Sequence, residues 1–270
     1  GKLRWAPPVR WVYPESNTTE HNATEFGSTC KQLLWGNDGL LSEDHGSEDC
    51  LFLNIYVNLE QVARSADQLP VGVFVHGGSF VTGASSLPLY EGTNLVNFLD
   101  GNAIIVTTNY RLNVFGFLGS EELRSQDPEG STGNYGIQDQ RMAFEWVRDN
   151  IGAFGGSSAR VTIFGESAGA GSMTSHLTMK KSWGLFHGVM LESGAYSQSG
   201  AQNMSCAERS YQNLLKLSQC ADLPCLMALS ESELLSLSAQ MPVTDPYGHS
   251  NAFSPTADGV ELTTHPWVAL

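Results

Sequence analysis

Three features of the sequence predict an α/β protein built on a mostly parallel central sheet. Short apolar runs that read as strands alternate with longer stretches of helical periodicity. Two of the runs, Val71-Gly72-Val73-Phe74-Val75 and Ala103-Ile104-Ile105-Val106, are apolar almost throughout, as expected of strands covered on both faces. The third feature is Val161-Thr162-Ile163-Phe164-Gly165-Glu166-Ser167-Ala168-Gly169-Ala170-Gly171, which reads as a strand, a tight glycine-bounded turn and a helix. Ligands in such sheets sit at the carboxyl ends of the strands. His76-Gly77-Gly78-Ser79 and Ser167 both fall just past strand ends, so both are expected to face one site.

Taken in order, residues 1–50 read as irregular, rich in Pro, Asn, Ser and Gly. Residues 51–57 and 71–76 read as strands, residues 95–99 as helical or mixed, and residues 103–109 as a third strand. Residues 137–154 form the clearest helix, with Ile137, Phe144, Val147, Ile151 and Phe154 on one face. Gly155-Gly156 ends it. The strand before Ser167 follows, then the helix after it, then a fifth strand over residues 188–193. Residues 205–240 read as short helices with Leu214, Leu215, Leu217, Leu226, Leu229, Leu234, Leu235 and Leu237 as core. There is no internal repeat and no low-complexity tract.

The 270 residues suffice for one large or two small domains, and 41% apolar with 16% charged residues suits a sizeable core. Acidic residues outnumber basic ones 28 to 14, a net charge of −14. Phosphates repel such a surface, which excludes nucleic acid as a partner. No apolar run approaches the roughly 18 residues of a membrane span. No metal or cofactor is expected. Five cysteines and three sequons, at Asn17, Asn22 and Asn203, point to secretion and glycosylation. No signal peptide is present, but the chain has no initiator Met either. Cys30 and Cys50 bracket a segment that could close as a disulfide loop, worth about 3 kcal/mol in the chain-entropy picture. Cys206, Cys220 and Cys225 then leave one thiol over.

The turn Gly165-Glu166-Ser167-Ala168-Gly169 carries the chemistry. A side chain at its tip leans out of the sheet edge, in a backbone conformation that needs support from both sides. Strand and helix pass so close that positions two before and two after the serine must be small, and both are glycine. The helix aims free N–H groups back at the serine, where negative charge could develop. The plainer reading of the same five residues is a glycine-rich loop. The strand before it and the helix after it favour a nucleophile.

Several separate segments together resemble the type-B carboxylesterases, the cholinesterase-like and lipase-like group of the α/β-hydrolase fold. They are Ser47-Glu48-Asp49-Cys50-Leu51-Phe52-Leu53-Asn54, His76-Gly77-Gly78-Ser79-Phe80, Asn109-Tyr110-Arg111 with Gly116-Phe117-Leu118, Gly133-Asn134-Tyr135-Gly136 with Asp139-Gln140 and Trp146-Val147, and Phe164-Gly165-Glu166-Ser167-Ala168-Gly169. Asp258-Gly259 resembles a further family element. The resemblance runs over nearly the whole chain. It implies one hydrolase domain with a mostly parallel sheet and helices on both faces, of which residues 1–270 are the N-terminal half to two-thirds, cut at both ends.

The resemblance implies acyl transfer on a small-molecule or lipid ester. Ser167 attacks the carbonyl and forms an acyl-enzyme that water hydrolyses. The oxyanion donors are the backbone N–H groups of Gly78, Ser79 and Ala168. Ser79 stands where the family more often has a third glycine, which narrows the approach. His76, in the same loop, is structural, while Glu166 and Ser193 support the site. The triad acid and histidine follow the serine at long spacing in this family, and only roughly a hundred residues follow Ser167. His176, His187, His249 and His265 match no family segment. Residues 1–270 alone are therefore expected to lack the acid and the base and to turn over esters very slowly. The alternative is a non-catalytic interaction or adhesion module of the same fold. The resemblance also implies disulfides Cys30–Cys50 and Cys220–Cys225 with Cys206 outside both, Cys206–Cys220 being the alternative.

Overall fold

A computed structural model describes residues 3–12, 23–35, 41–196, 200–242 and 252–269. The strands are β1 (Gln32–Trp35), β2 (Leu41–His45), β3 (Leu53–Tyr56), β4 (Leu69–Val75), β5 (Ile104–Thr108), β6 (Gly156–Glu166), β7 (Gly188–Glu192), β8 (Gln202–Asn203) and β9 (Thr256–Ala257). The α-helices are α1 (Leu59–Arg64), α2 (Thr93–Phe98), α3 (Asn113–Phe117), α4 (Glu121–Gln126), α5 (Tyr135–Asn150), α6 (Ala168–Thr178), α7 (Met204–Ser218), α8 (Leu223–Ala228) and α9 (Glu231–Ala239).

The central sheet runs β3-β5-β4-β6-β7. Only β3 is antiparallel to its neighbour, and the other pairs are parallel. All five positions of β5 are buried, so both faces of the sheet are covered at its centre. In β4, Val71, Val73 and Val75 are buried while Gly72 and Phe74 are half-buried. Phe74 packs on Phe164 of β6 and on Tyr90, with ring centroids 5.2 and 4.8 Å away. Helix α6 lies against β4, β6 and β7.

Helix α5 buries Ile137, Phe144 and Val147, and Ile151 follows in a 3-10 turn, all fully out of solvent. Gly155, with φ of 83°, closes that turn in the left-handed region that glycine adopts without strain. Phe154, expected on the same face, is exposed, because the 3-10 turn changes the angular step per residue.

Four further expectations change. Residues 32–45 hold an antiparallel strand pair where an irregular stretch was expected. The fifth strand is not covered on both faces among the described residues: β7 is the last strand of the sheet there, and Met190 on it is about half exposed. Leu217, expected in the core, is 39% exposed near the end of α7, whereas Leu214, three positions earlier, is fully buried. The long helix α7 also replaces a series of short ones there.

Cys30–Cys50 and Cys220–Cys225 are disulfides. Cys206 keeps its thiol, buried in the first turn of α7. Asp258 is buried. One carboxylate oxygen accepts from Ser131 Oγ and the Thr132 N–H, the other from the N–H groups of Val260, Glu261 and Leu262. It thus pins the segment after β9 onto the loop that leads into α5. None of the described helices is long and apolar enough to cross a membrane.

Candidate active site

Ser167 lies between β6 and α6 with φ of 56° and ψ of −117°. A non-glycine residue there costs on the order of 1–3 kcal/mol, so its surroundings must hold it. They do so from three sides. The Ser167 N–H donates to the Glu192 carbonyl at the end of β7 (2.8 Å), and its carbonyl accepts from the Gly171 N–H in α6 (3.0 Å). The third side is the loop after β4: a Cβ placed on Gly77 would lie 3.1 Å from the Ser167 Cβ and 2.7 Å from the Glu166 carbonyl oxygen. The loop holding Gly78 and Ser79 and the turn holding Ser167 are therefore side by side, because β4 and β6 are neighbours in the sheet. Ala168 is the first residue of α6, where helix N–H groups lack intrahelical acceptors.

The loop is wound tightly. Gly78, Ser79 and Phe80 all have positive φ (107°, 53° and 63°). Its carbonyls are held in turn. Gly77 O accepts from His76 Nδ1 at 2.8 Å. Gly78 O accepts from the N–H groups of Val81 and Thr82, at 3.0 and 3.1 Å, and Phe80 O from that of Asn113, at 2.7 Å. In a trans peptide the C=O and the next N–H point opposite ways, and there is no cis bond among the described residues. Holding the Gly77 and Gly78 carbonyls therefore sets the directions of the Gly78 and Ser79 N–H groups.

His76 is fully buried and stacked on Tyr110 (4.5 Å), whose hydroxyl donates to the His76 carbonyl. Burial pushes its pKa down to about 4, so at neutral pH it is an uncharged donor to Gly77. His176, also buried, sits among Ser182 Oγ and Gln140 Oε1, and burial, then Arg141, push it down to about 3. His187 Nδ1 accepts from the Val161 N–H just before β7 begins, at the edge of the sheet away from Ser167, and His265 Nδ1 accepts from the Trp267 N–H. His249, Asn17 and Asn22 lie outside the described residues. Ser193 follows β7 with φ of 57° and is exposed. Its neighbour Gly194 is packed so tightly that a Cβ there would fall 2.2 Å from the Ser167 carbonyl oxygen. Glu166 is half-buried, its carboxylate beside Gly77.

The two buried histidines predict a pH dependence. Their folded pKa values lie below the unfolded value of 6.5, so protonation is resisted in the folded state. Above pH 6.5 both states are neutral there. As pH falls below it the unfolded chain takes up protons first, and stability drops by about 1.4 kcal/mol per pH unit per histidine. Urea unfolding at pH 7.5, 6.0 and 5.0 is expected to show this slope, and His176→Gln to remove about half of it. An unchanged slope in the variant would contradict the assignment.

The family model for the carboxylesterase family matches residues 1–270. The chain belongs to the carboxylesterase family. It is 34% identical to the para-nitrobenzyl esterase of Bacillus subtilis (strain 168), over 98% of this chain and 53% of that protein. It is 33% identical to the cholinesterase of Mus musculus, over 93% of this chain and 42% of that protein. The crystal structure of a Geobacillus stearothermophilus carboxylesterase superposes with a TM-score of 0.80 at 34% identity, covering 100% of this chain and 51% of that one. The fold is thus the α/β-hydrolase fold. The chain spans about half the length of the curated relatives it matches.

The residues singled out around Ser167 in this chain of the carboxylesterase family come to one end of the sheet strands. Gln32 and Asn113, which grip the loop after β4 from outside, carry no motif signal. Asn113 lies two residues beyond Asn109-Tyr110-Arg111, and Gln32 two beyond Cys30, in a stretch read as irregular.

Proposed function

We propose that the protein hydrolyses carboxylic esters through Ser167. The observation that carries this is the strained Ser167 backbone held against Gly77, at the N-terminus of α6. In this reading Ser167 Oγ adds to the ester carbonyl. The alcohol leaves, and water then releases the acid from the acyl-enzyme. The N–H groups of Gly78, Ser79 and Ala168 receive the oxyanion. Glu166 and Ser193 support the turn and the strand end beside it. Ser79, exposed where the family more often has glycine, narrows the approach and restricts bulky substrates. In this reading the base and its acid partner come from outside the described residues, which fits the other partners held by His76, His176, His187 and His265.

Trapping the protein with a fluorophosphonate is expected to place the adduct on the Ser167 peptide, and Ser167→Ala to abolish it. Residues 1–270 by themselves are expected to hydrolyse a nitrophenyl ester at no more than roughly 10³ to 10⁴ over water, the residue left when triad members are absent. Turnover on the order of 1 s⁻¹ that disappears in Ser167→Ala would place the base within this chain. No adduct on the natural protein would leave the non-catalytic module as the better reading.

The two disulfides favour an oxidising, extracellular setting for this protein. Asn203 caps α7, its Oδ1 accepting from the Cys206 N–H and from Ser205 Oγ. The glycan-bearing atom of an asparagine is Nδ2, so a glycan is compatible with the cap. The same peptide map, run with and without a glycosidase, tests for it.

A further inference from the structure

The side chain of Gln32 is 1% exposed and lies against the end of the loop that follows β4. Its Nε2 donates to the carbonyls of Cys30 (2.9 Å) and Gly83 (2.8 Å). Its Oε1 accepts from Thr82 Oγ1 (2.8 Å) and from the Gly83 N–H (2.8 Å). A primary amide has two N–H donors and two acceptor positions, so every one is used. Both backbone groups of Gly83 and the Thr82 hydroxyl are thereby held from a strand outside the central sheet, next to a cysteine that is itself tied to Cys50.

The held segment bears directly on the peptide that matters. The Thr82 N–H donates to Gly78 O, and the Thr82 carbonyl presses on Gly78, where a Cβ would meet it at 2.1 Å. A Cβ on Gly83 would fall 2.4 Å from His76 Nδ1 and 2.7 Å from Gly77 O. Shifting Thr82–Gly83 would therefore let the Gly78 carbonyl turn, and the Ser79 N–H turns with it in the same rigid peptide plane. Gln32 itself does not touch Ser167.

We propose that Gln32 is a positioning residue for the reaction at Ser167, clamping Thr82 and Gly83 so that the Ser79 N–H stays aimed at the developing oxyanion. The proposal rests on the esterase reading given above.

Gln32→Met keeps the volume and removes all four hydrogen bonds, and two measurements on the natural protein decide the matter. The first is the ratio of turnover on an ester to that on the matching thionoester, whose sulfur is a poorer hydrogen-bond acceptor and depends less on oxyanion donors. The ratio is expected to fall on the order of tenfold, with KM little changed. A general structural defect would lower both substrates alike. The second is amide hydrogen exchange, expected to quicken on the order of tenfold at Val81 and Thr82 and to stay unchanged across β5. Thr82→Val, which removes one hydroxyl donor, should show both effects more weakly, and Thr82→Ser should restore them. It serves as the test where Gln32→Met fails to fold. Equal losses on the two substrates, or unchanged exchange at Val81 and Thr82, would overturn the proposal. A wild-type protein inert towards both substrates would overturn the esterase reading instead, and the exchange rates would still decide whether Gln32 clamps the loop.

Discussion

Gly169→Ala is expected to yield no stably folded protein, while Gly171→Ala, two residues on in the same helix, folds normally. A Cβ on Gly169 would lie 2.1 Å from the Val75 carbonyl oxygen and 3.2 Å from the His76 carbonyl carbon. Both are backbone atoms at the end of a central strand and cannot swing aside as a side chain could. Gly165 is equally tight, its Cβ position 2.6 Å from the Gly169 carbonyl carbon. Relief would require β4 and α6 to separate, which undoes the packing that holds Ser167. The loss should exceed the roughly 1–3 kcal/mol usual for overpacking, because neither backbone can yield. At Gly171 a Cβ would find only Phe80 Cζ, at 3.6 Å. Alanine there exchanges a poor helix former for the best one, worth up to about 1 kcal/mol. Thermal melts of the two variants beside wild type check the pair. A cooperative, near-wild-type melt for Gly169→Ala would mean that the strand and the helix are less closely apposed than described.

Asp139→Ala should cost about 3–5 kcal/mol, because it leaves a guanidinium buried without its counter-ion. The Asp139 side chain is fully buried and that of Arg111 is 9% exposed. Arg111 donates from Nε and Nη2 to the two carboxylate oxygens, both at 2.7 Å, and from its backbone N–H to one of them at 3.0 Å. Its Nη1 continues to the carbonyls of Leu3 and Ala6. The pair thus joins the segment after β5 to α5 and ties residues 3–6 to both. Replacing both residues with apolar ones of similar volume, as in Arg111→Met with Asp139→Leu, should recover part of the loss, since no lone charge then remains. Denaturant midpoints of the single and double variants decide this. A double variant as unstable as Asp139→Ala would show that losing the links to Leu3 and Ala6 costs as much as the lone buried charge.

The fold class, the five sheet strands in order and the turn at Ser167 were legible in the sequence because each is a local pattern. Continuous apolar runs mark β4 and β5, which lie inside the sheet with a strand on either side. A 3.6-residue period marks α5 from Ile137 to Ile151, and it fails at Phe154, where the helix tightens into a 3-10 turn. Paired glycines mark the close approach beside Ser167. Other features depended on contacts between distant residues, and no local period records those. Whether Gly77 would meet Ser167 was decided by β6 pairing with β4 across about ninety residues, with β5 taking the other side of β4. Gln32 and Asn113 reach the loop after β4 through hydrogen bonds between residues far apart in sequence. Asp258 reaches Ser131 in the same way. Met190 is exposed on β7, the last strand of the sheet among the described residues, and its apolar composition does not reveal that. Composition and periodicity report which side of an element is buried. Which element buries it, and which polar group meets which, is set only when the chain closes on itself.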